Sequence, residues 1–205
     1  MTELPSHKAR GVGNDIYGEA RLELALIVKQ QLEALNIAWF LDAGTLLGAY
    51  RGGKVIPHDD DFDMAVYYPR FDGERDLHEL SDALELPAKY AARVVTSYGQ
   101  KVEVFDRASE TFQLPAAYKG ADFHTVTVDL QVMTDAPDGS VVYLHDLLEH
   151  VRVRPDQLLP TGEIVCEGHR FNCPRDTQGF LEAQYGYLGT DARFDPASKK
   201  YVKVS

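Results

Sequence analysis

The chain has 205 residues, 44% of them hydrophobic and 26% charged, with 21 Lys and Arg against 32 Asp and Glu for a formal net charge of −11. The proportions are those of an ordinary globular chain, and the acidic balance argues against nucleic-acid binding, whose affinity comes mainly from Lys and Arg. No run approaches 18 consecutive apolar residues and the N-terminus lacks an apolar signal core, so no transmembrane segment and a cytoplasmic setting are expected.

Residues 1–13 are polar and are expected to form a flexible arm, followed by a single domain over 14–205. Asn14 or Asp15 can cap a helix, and Ile16, Ala20, Leu24, Ile27, Val28, Leu32 and Leu35 recur at helical spacing, which predicts an amphipathic helix over 15–35. The apolar run 37–41 reads as a buried strand. Residues 42–54 turn, start a short helix near Thr45 and leave it at Gly52-Gly53. A strand is expected over 61–68 and a helix over 73–86, with Leu77, Leu80 and Leu84 on one side. Residues 92–98 and 101–106 make a hairpin through Gly99-Gln100. Residues 107–121 read as irregular, 123–133 as one strand, and 135–140 as a loop. Residues 163–174 suggest a hairpin around Glu167-Gly168, across which Cys166 and Cys173 could face each other. No leader is apparent, so reduced thiols are favoured. Asp176 can cap a last helix ending near Tyr185, stopped by Gly186. The assembly that buries these faces is α+β, helices packed on a mixed β-sheet.

Residues 58–63 read His-Asp-Asp-Asp-Phe-Asp. Successive strand side chains alternate between faces, so Asp59, Asp61 and Asp63 share one face if the extended chain reaches back to Asp59, while Phe62 packs into the core. Taken alone, the run is as well explained by a solvated acidic turn. A calcium loop of the EF-hand type fails, because counting from Asp59 puts Met64 and Arg70 where Gly and Glu are required. A metal site at the start of a strand needs a phosphate-binding element and a further carboxylate. Gly44-Thr45 lies between a strand and a short helix, where free N–H groups can face an anion, and Arg51 and Lys54 follow. Either cation could neutralise phosphate charge or simply be solvated. Asp129 sits inside an otherwise apolar strand, where a lone charge is expensive to bury. A buried salt bridge and a third metal ligand both answer that. His124 has the opposite strand parity to Asp129 and reads as a core or surface residue.

Residues 40–67, "FLDAGTLLGAYRGGKVIPHDDDFDMAVY", resemble the signature of the LicD-type phosphotransferases, a family that includes bacterial phosphocholine transferases and the fukutin-related protein. The later "VDLQVM" (128–133) is similar to the strand carrying the family's third acid, and 163–186 to its hairpin and closing Tyr-Gly helix. His58 stands where the motif has Trp. The resemblance implies a nucleotidyltransferase-like fold and Mg²⁺-dependent transfer, with Mn²⁺ as an alternative. The transferred group would be phosphocholine or a similar phospho-alcohol. The donor would be nucleotide-activated, of the CDP-alcohol type, and the acceptor a hydroxyl, often on a glycan. It implies Asp61 and Asp63 as paired metal ligands preceded by Asp59, Asp129 as the third acid, and Gly44 and Thr45 as holders of the donor phosphates. Asp129 could bind a second metal or act as general base. Two rival readings are a nucleotidyltransferase that moves a nucleoside monophosphate onto a small molecule, and a noncatalytic nucleotide-binding module.

Overall fold

The computed structural model describes residues 15–57, 59–97, 99–113, 122–145, 148–198 and 200–204. The arm expected over 1–13 and His58 lie outside the described residues. Helix α1 (Asp15–Ala34) leads into β1 (Ala38–Leu41), α2 (Ala43–Gly52), β2 (Phe62–Tyr68) and α3 (Glu74–Ala83). Strands β3 (Tyr90–Val95) and β4 (Lys101–Asp106) form the expected hairpin. The chain continues through β5 (Thr111–Gln113), β6 (Asp122–His124), β7 (Thr127–Asp135), β8 (Val141–Tyr143) and β9 (Arg152–Val153). It closes with α4 (Pro155–Leu158), β10 (Gly162–Cys166), β11 (His169–Cys173), α5 (Thr177–Tyr185), β12 (Ala192–Asp195) and β13 (Lys200–Lys203).

The central sheet runs β1-β2-β7-β4-β3, with β8 and β9 added beyond β7. Only β2 and β7 pair in parallel; the other neighbours in this sheet are antiparallel. The fold is therefore α+β with a mixed sheet, as expected. The run 123–133 is not one strand. It breaks at Thr125-Val126, and β6 turns away to pair with β5, which lies in the stretch read as irregular.

Register turns the strand alternation into two unlike faces. On one parity, Phe62, Met64 and Val66 of β2 stand beside Val128, Leu130 and Val132 of β7, with Val104 and Val102 of β4 next in line beside Val128 and Leu130. All eight are buried. On the other parity, Asp63 pairs with Asp129, Asp129 with Glu103, and Glu103 with Arg93, a row of charge across four strands. Leu24, Val28 and Leu32 of α1 and Leu77 and Leu80 of α3, in the spacing that predicted those helices, join Leu46 and Leu47 of α2 and Phe180 and Leu181 of α5 in the helical part of the core.

Two local features set up the site. Gly53 ends α2 in the left-handed region (φ 71°), where its N–H reaches the Ala49 carbonyl at 2.8 Å and the chain turns back toward β2. In the β10–β11 hairpin, Cys166 pairs with His169 and Cys173 with Gly162, so the cysteines occupy opposite ends of the ladder rather than facing each other. Both are buried free thiols. Among the described residues, no helix is long and apolar enough to cross a membrane.

Candidate active site

Carboxylate oxygens of Asp59, Asp61 and Asp63 come within 4.8 Å of one another. The cause differs from simple strand alternation. Strand β2 starts only at Phe62, and Asp59 is placed by a turn in which its N–H donates to the Ile56 carbonyl at 2.9 Å. Phe62, 1% exposed, anchors the register as expected, its ring 5.6 Å from that of Phe171. Burial pushes the Asp61 carboxyl well above the ordinary range, and Asp60, Asp59 and Asp129 push it further. Asp63 is raised for the same first reason, then by Asp61, Asp59, Asp129 and Asp42.

Asp129 lies beside Asp63 on the parallel neighbour, at the same height of the sheet. Its Oδ2 accepts from Lys101 Nζ at 2.5 Å, and Lys101 also meets Glu103 at 2.9 Å. Glu103 in turn holds Arg93. The buried salt bridge anticipated for Asp129 therefore exists. It engages one carboxylate oxygen only, since Oδ1 is buried without a hydrogen-bond partner among the described residues. Burial raises Asp129 to about 6 despite Lys101. Burial also works to raise Glu103, but Lys101 and Arg93 outweigh it and hold that carboxyl low.

Helix α2 begins against this cluster. Thr45 sits in its first turn, fully buried, and its Oγ1 accepts from the Asp63 N–H at 2.9 Å. The hydroxyl hydrogen is left to donate elsewhere. At Gly44, an added Cβ would fall 2.2 Å from Asp59 Oδ2, so the missing side chain is what lets the carboxylate approach the helix start. The preceding Ala43 has φ 45°, a left-handed conformation that costs a non-glycine residue on the order of 1 kcal/mol. The helix terminus expected at Gly44-Thr45 is thus present and adjoins the acids.

Arg51 and Lys54 are not brought to that end. Arg51 lies in the last turn of α2 and donates to the carbonyls of Leu188 and Gly189 at 2.8 and 3.0 Å. Lys54 is exposed beyond the helix C-terminus. His124 ends β6, half-buried and stacked on Phe105 with ring centroids 4.1 Å apart, so it stays a packing residue away from the acids, although the parity argument does not apply across the break at Thr125-Val126.

Several residues near the acids escaped sequence reasoning. Asp42 occupies the N-cap position of α2, yet its side chain makes no cap. Instead it is fully buried, accepts from the Tyr143 hydroxyl and from Gln184 Nε2 at 3.5 Å, and is raised to about 6, burial being the main cause. Its backbone N–H donates to the Asp63 carbonyl at 3.1 Å. Tyr185, at the end of α5, packs on Tyr201 with ring centroids 6.2 Å apart. Its hydroxyl is also raised well above the ordinary range, by burial first and then by Asp63, Asp42, Asp59 and Asp61, so it belongs to the surroundings of the cluster. Lys101 and Glu103 gave no signal, because "KVEV" reads as an ordinary half-exposed strand.

The donor set fits a hard divalent cation. It consists of carboxylate oxygens only, with no thiolate or imidazole among the clustered groups. Burial is the main cause that lifts Asp61 and Asp63, and the repulsion that neighbouring acids add to it is what a cation among them relieves.

A mixed sheet with paired acids at the start of one strand, a third on its parallel neighbour and a helix N-terminus alongside defines a nucleotidyltransferase-type domain. Residues 36–176 match the family described as "LicD/FKTN/FKRP, nucleotidyltransferase domain", and the chain belongs to that family. Among curated proteins it is similar to "Ribitol 5-phosphate transferase FKRP" of Mus musculus and of Homo sapiens, each 28% identical over 167 residues. The match covers 80% of this chain and 31% and 30% of those relatives, so the chain spans less than a third of their length.

Proposed function

We propose that the chain is a divalent-cation-dependent transferase that moves a phospho-alcohol from a nucleotide-activated donor to a hydroxyl acceptor, with a glycan as the acceptor class. The observation that carries this reading is the convergence of Asp59, Asp61 and Asp63 beside Asp129 and the start of α2. The name of the similar transferases supports a pentitol phosphate such as ribitol 5-phosphate as the transferred group.

Asp59, Asp61 and Asp63 would hold Mg²⁺ or Mn²⁺, with Asp129 Oδ1 available as a further ligand. The ion would neutralise the donor's phosphates and stabilise the departing nucleotide phosphate. Thr45 and the first N–H groups of α2 would hold phosphate oxygens, fixing the donor for in-line attack. If Asp129 is instead the general base, its Oδ1 takes the acceptor hydroxyl's proton while Lys101 holds Oδ2 in place. Tyr185 and the Asp42–Tyr143–Gln184 group would keep the Asp63 side of the site rigid.

The test is ³¹P NMR of the protein with CDP-ribitol, MgCl₂ and a glycan acceptor, repeated in EDTA. Release of CMP with a new phosphodiester resonance, absent in EDTA, is expected. Pyrophosphate release from CTP with ribitol 5-phosphate, with no CMP from CDP-ribitol, would point to nucleotidyl transfer instead. Binding without turnover of either donor would make the chain a noncatalytic nucleotide-binding module.

A further inference from the structure

Beside the acids opens a cleft whose lining includes Arg21, Leu22, Ile56, Pro57, Asp59 and Asp61. Arg21 lies on the second turn of α1 and is 4% exposed. Its Nε donates to the Thr125 carbonyl at 2.9 Å and its Nη1 to the Asp59 carbonyl at 3.2 Å. The Tyr17 ring lies 5.7 Å from the guanidinium carbon. Those contacts fix the plane of the group. The remaining nitrogen, Nη2, is buried and has no hydrogen-bond partner among the described residues.

Leaving a charged donor buried and unanswered is costly, more so than for a neutral group. A merely structural arginine would be satisfied by the two carbonyls and could turn Nη2 to water. Here a rigid planar fork is held with one donor group spare, the arrangement in which arginine recognises phosphate or carboxylate oxygens. The carboxylates of Asp61, Asp60 and Asp59 act on it electrostatically. A bare anion would be repelled by these acids, whereas a phosphate bound together with a divalent cation would not. We infer that Arg21 is the phosphate-recognising residue of this cleft, donating through Nη2 to a phosphoryl oxygen of an organic diphosphate that enters chelated to the cation at Asp59 and Asp61. Leu22, Ile56 and Pro57 supply the apolar wall beside that diphosphate. This rests on the cation-dependent reading of the acid cluster.

The test uses inorganic pyrophosphate and CDP as probes, titrated by calorimetry with and without MgCl₂ into the wild type, Arg21→Gln and Arg21→Lys. Mn²⁺ binding without phosphate is followed in parallel by electron paramagnetic resonance. The wild type should bind both probes only with Mg²⁺. Arg21→Gln should weaken both by roughly tenfold to a hundredfold, the size of one charge-assisted hydrogen bond. Arg21→Lys should recover part of the loss. Mn²⁺ binding to Arg21→Gln should be unchanged or tighter, because a cation beside the acids has been removed.

Wild-type affinity for Mg²⁺-pyrophosphate in Arg21→Gln overturns the inference. Loss of Mn²⁺ binding together with pyrophosphate binding overturns it too, since the residue would then only hold the cluster together. A wild type that binds Mn²⁺ but neither phosphate probe overturns this inference alone, and one that binds no cation overturns the reading on which it rests. If the variants fail to fold, the wild type still decides. Its Arg21 guanidinium ¹⁵N resonances should shift on saturation with Mg²⁺-pyrophosphate, and an unchanged spectrum overturns the assignment.

Discussion

Asp63→Asn should raise the stability of the metal-free protein while weakening its hold on a divalent cation. Asp63 is 6% exposed, and its ties to Thr45 and Asp42 run through its backbone, so the substitution leaves them intact. What changes is charge. Two ionised carboxylates no more than 4.8 Å apart, as in this cluster, repel by at least about 3.5 kcal/mol at an effective dielectric near 20. The cluster escapes most of this by taking up protons, as the raised carboxyls of Asp61 and Asp63 indicate, so the relief from one amide is a fraction, about 1–2 kcal/mol. For a chain of this size that is a rise in Tm of roughly 2–8 °C. The pH dependence has a definite sign. A carboxyl raised on folding binds its proton more tightly in the native state, so stability is highest below the unfolded pKa near ~3.9 and falls as pH rises from there through the folded value. Asp63→Asn should flatten that fall, making its advantage larger at pH 8 than at pH 5. The assay is thermal unfolding in EDTA across that range, paired with Mn²⁺ titration. A Tm below that of the wild type at every pH, with unaltered Mn²⁺ affinity, would refute the reasoning and make Asp63 a structural charge.

Lys101→Met removes the cation that separates Asp129 from Glu103 and should destabilise the fold by about 3–5 kcal/mol, read by urea unfolding, because it strips the buried Asp129 carboxylate of its ion pair, while Glu103 keeps Arg93. Gly44→Ala should cut Mn²⁺ affinity at least tenfold, since its methyl would fall 2.2 Å from Asp59 Oδ2 and push that carboxylate away; an affinity equal to the wild type would show that Asp59 is not needed there. Thr45→Val leaves the buried Asp63 N–H without an acceptor and should lower stability by about 1–3 kcal/mol in chemical denaturation.

The sequence carried the site where its logic is local. The Gly44-Thr45 helix start, the Gly53 exit and the acidic run lie within about twenty residues, and each has a backbone or charge signature of its own. Even there the convergence of Asp59 was anticipated for the wrong cause, because a turn at Ile56 rather than an extended strand brings it in. What stayed hidden depends on pairing between distant segments. Asp129 was legible as a third acid, but not the ion pair that holds one of its oxygens, because Lys101 becomes buried between acids only once β4 lies against β7. Asp42 finds Tyr143 and Gln184 across 101 and 142 residues. Short pieces such as β8, β9 and α4 have too few residues for a period to show, and they form by docking on longer neighbours. Arg51 shows the converse: a cation close in sequence to the Gly44-Thr45 helix start is carried to the far end of its helix and holds the Leu188–Gly189 backbone.

The most direct test of the central claim is anomalous diffraction at the manganese edge from crystals grown with MnCl₂ and CDP. The account predicts a peak within about 2.0–2.3 Å of carboxylate oxygens of both Asp61 and Asp63, with diphosphate oxygens completing the coordination shell. The absence of any manganese at these acids, with CDP bound elsewhere in the same crystal, would contradict it.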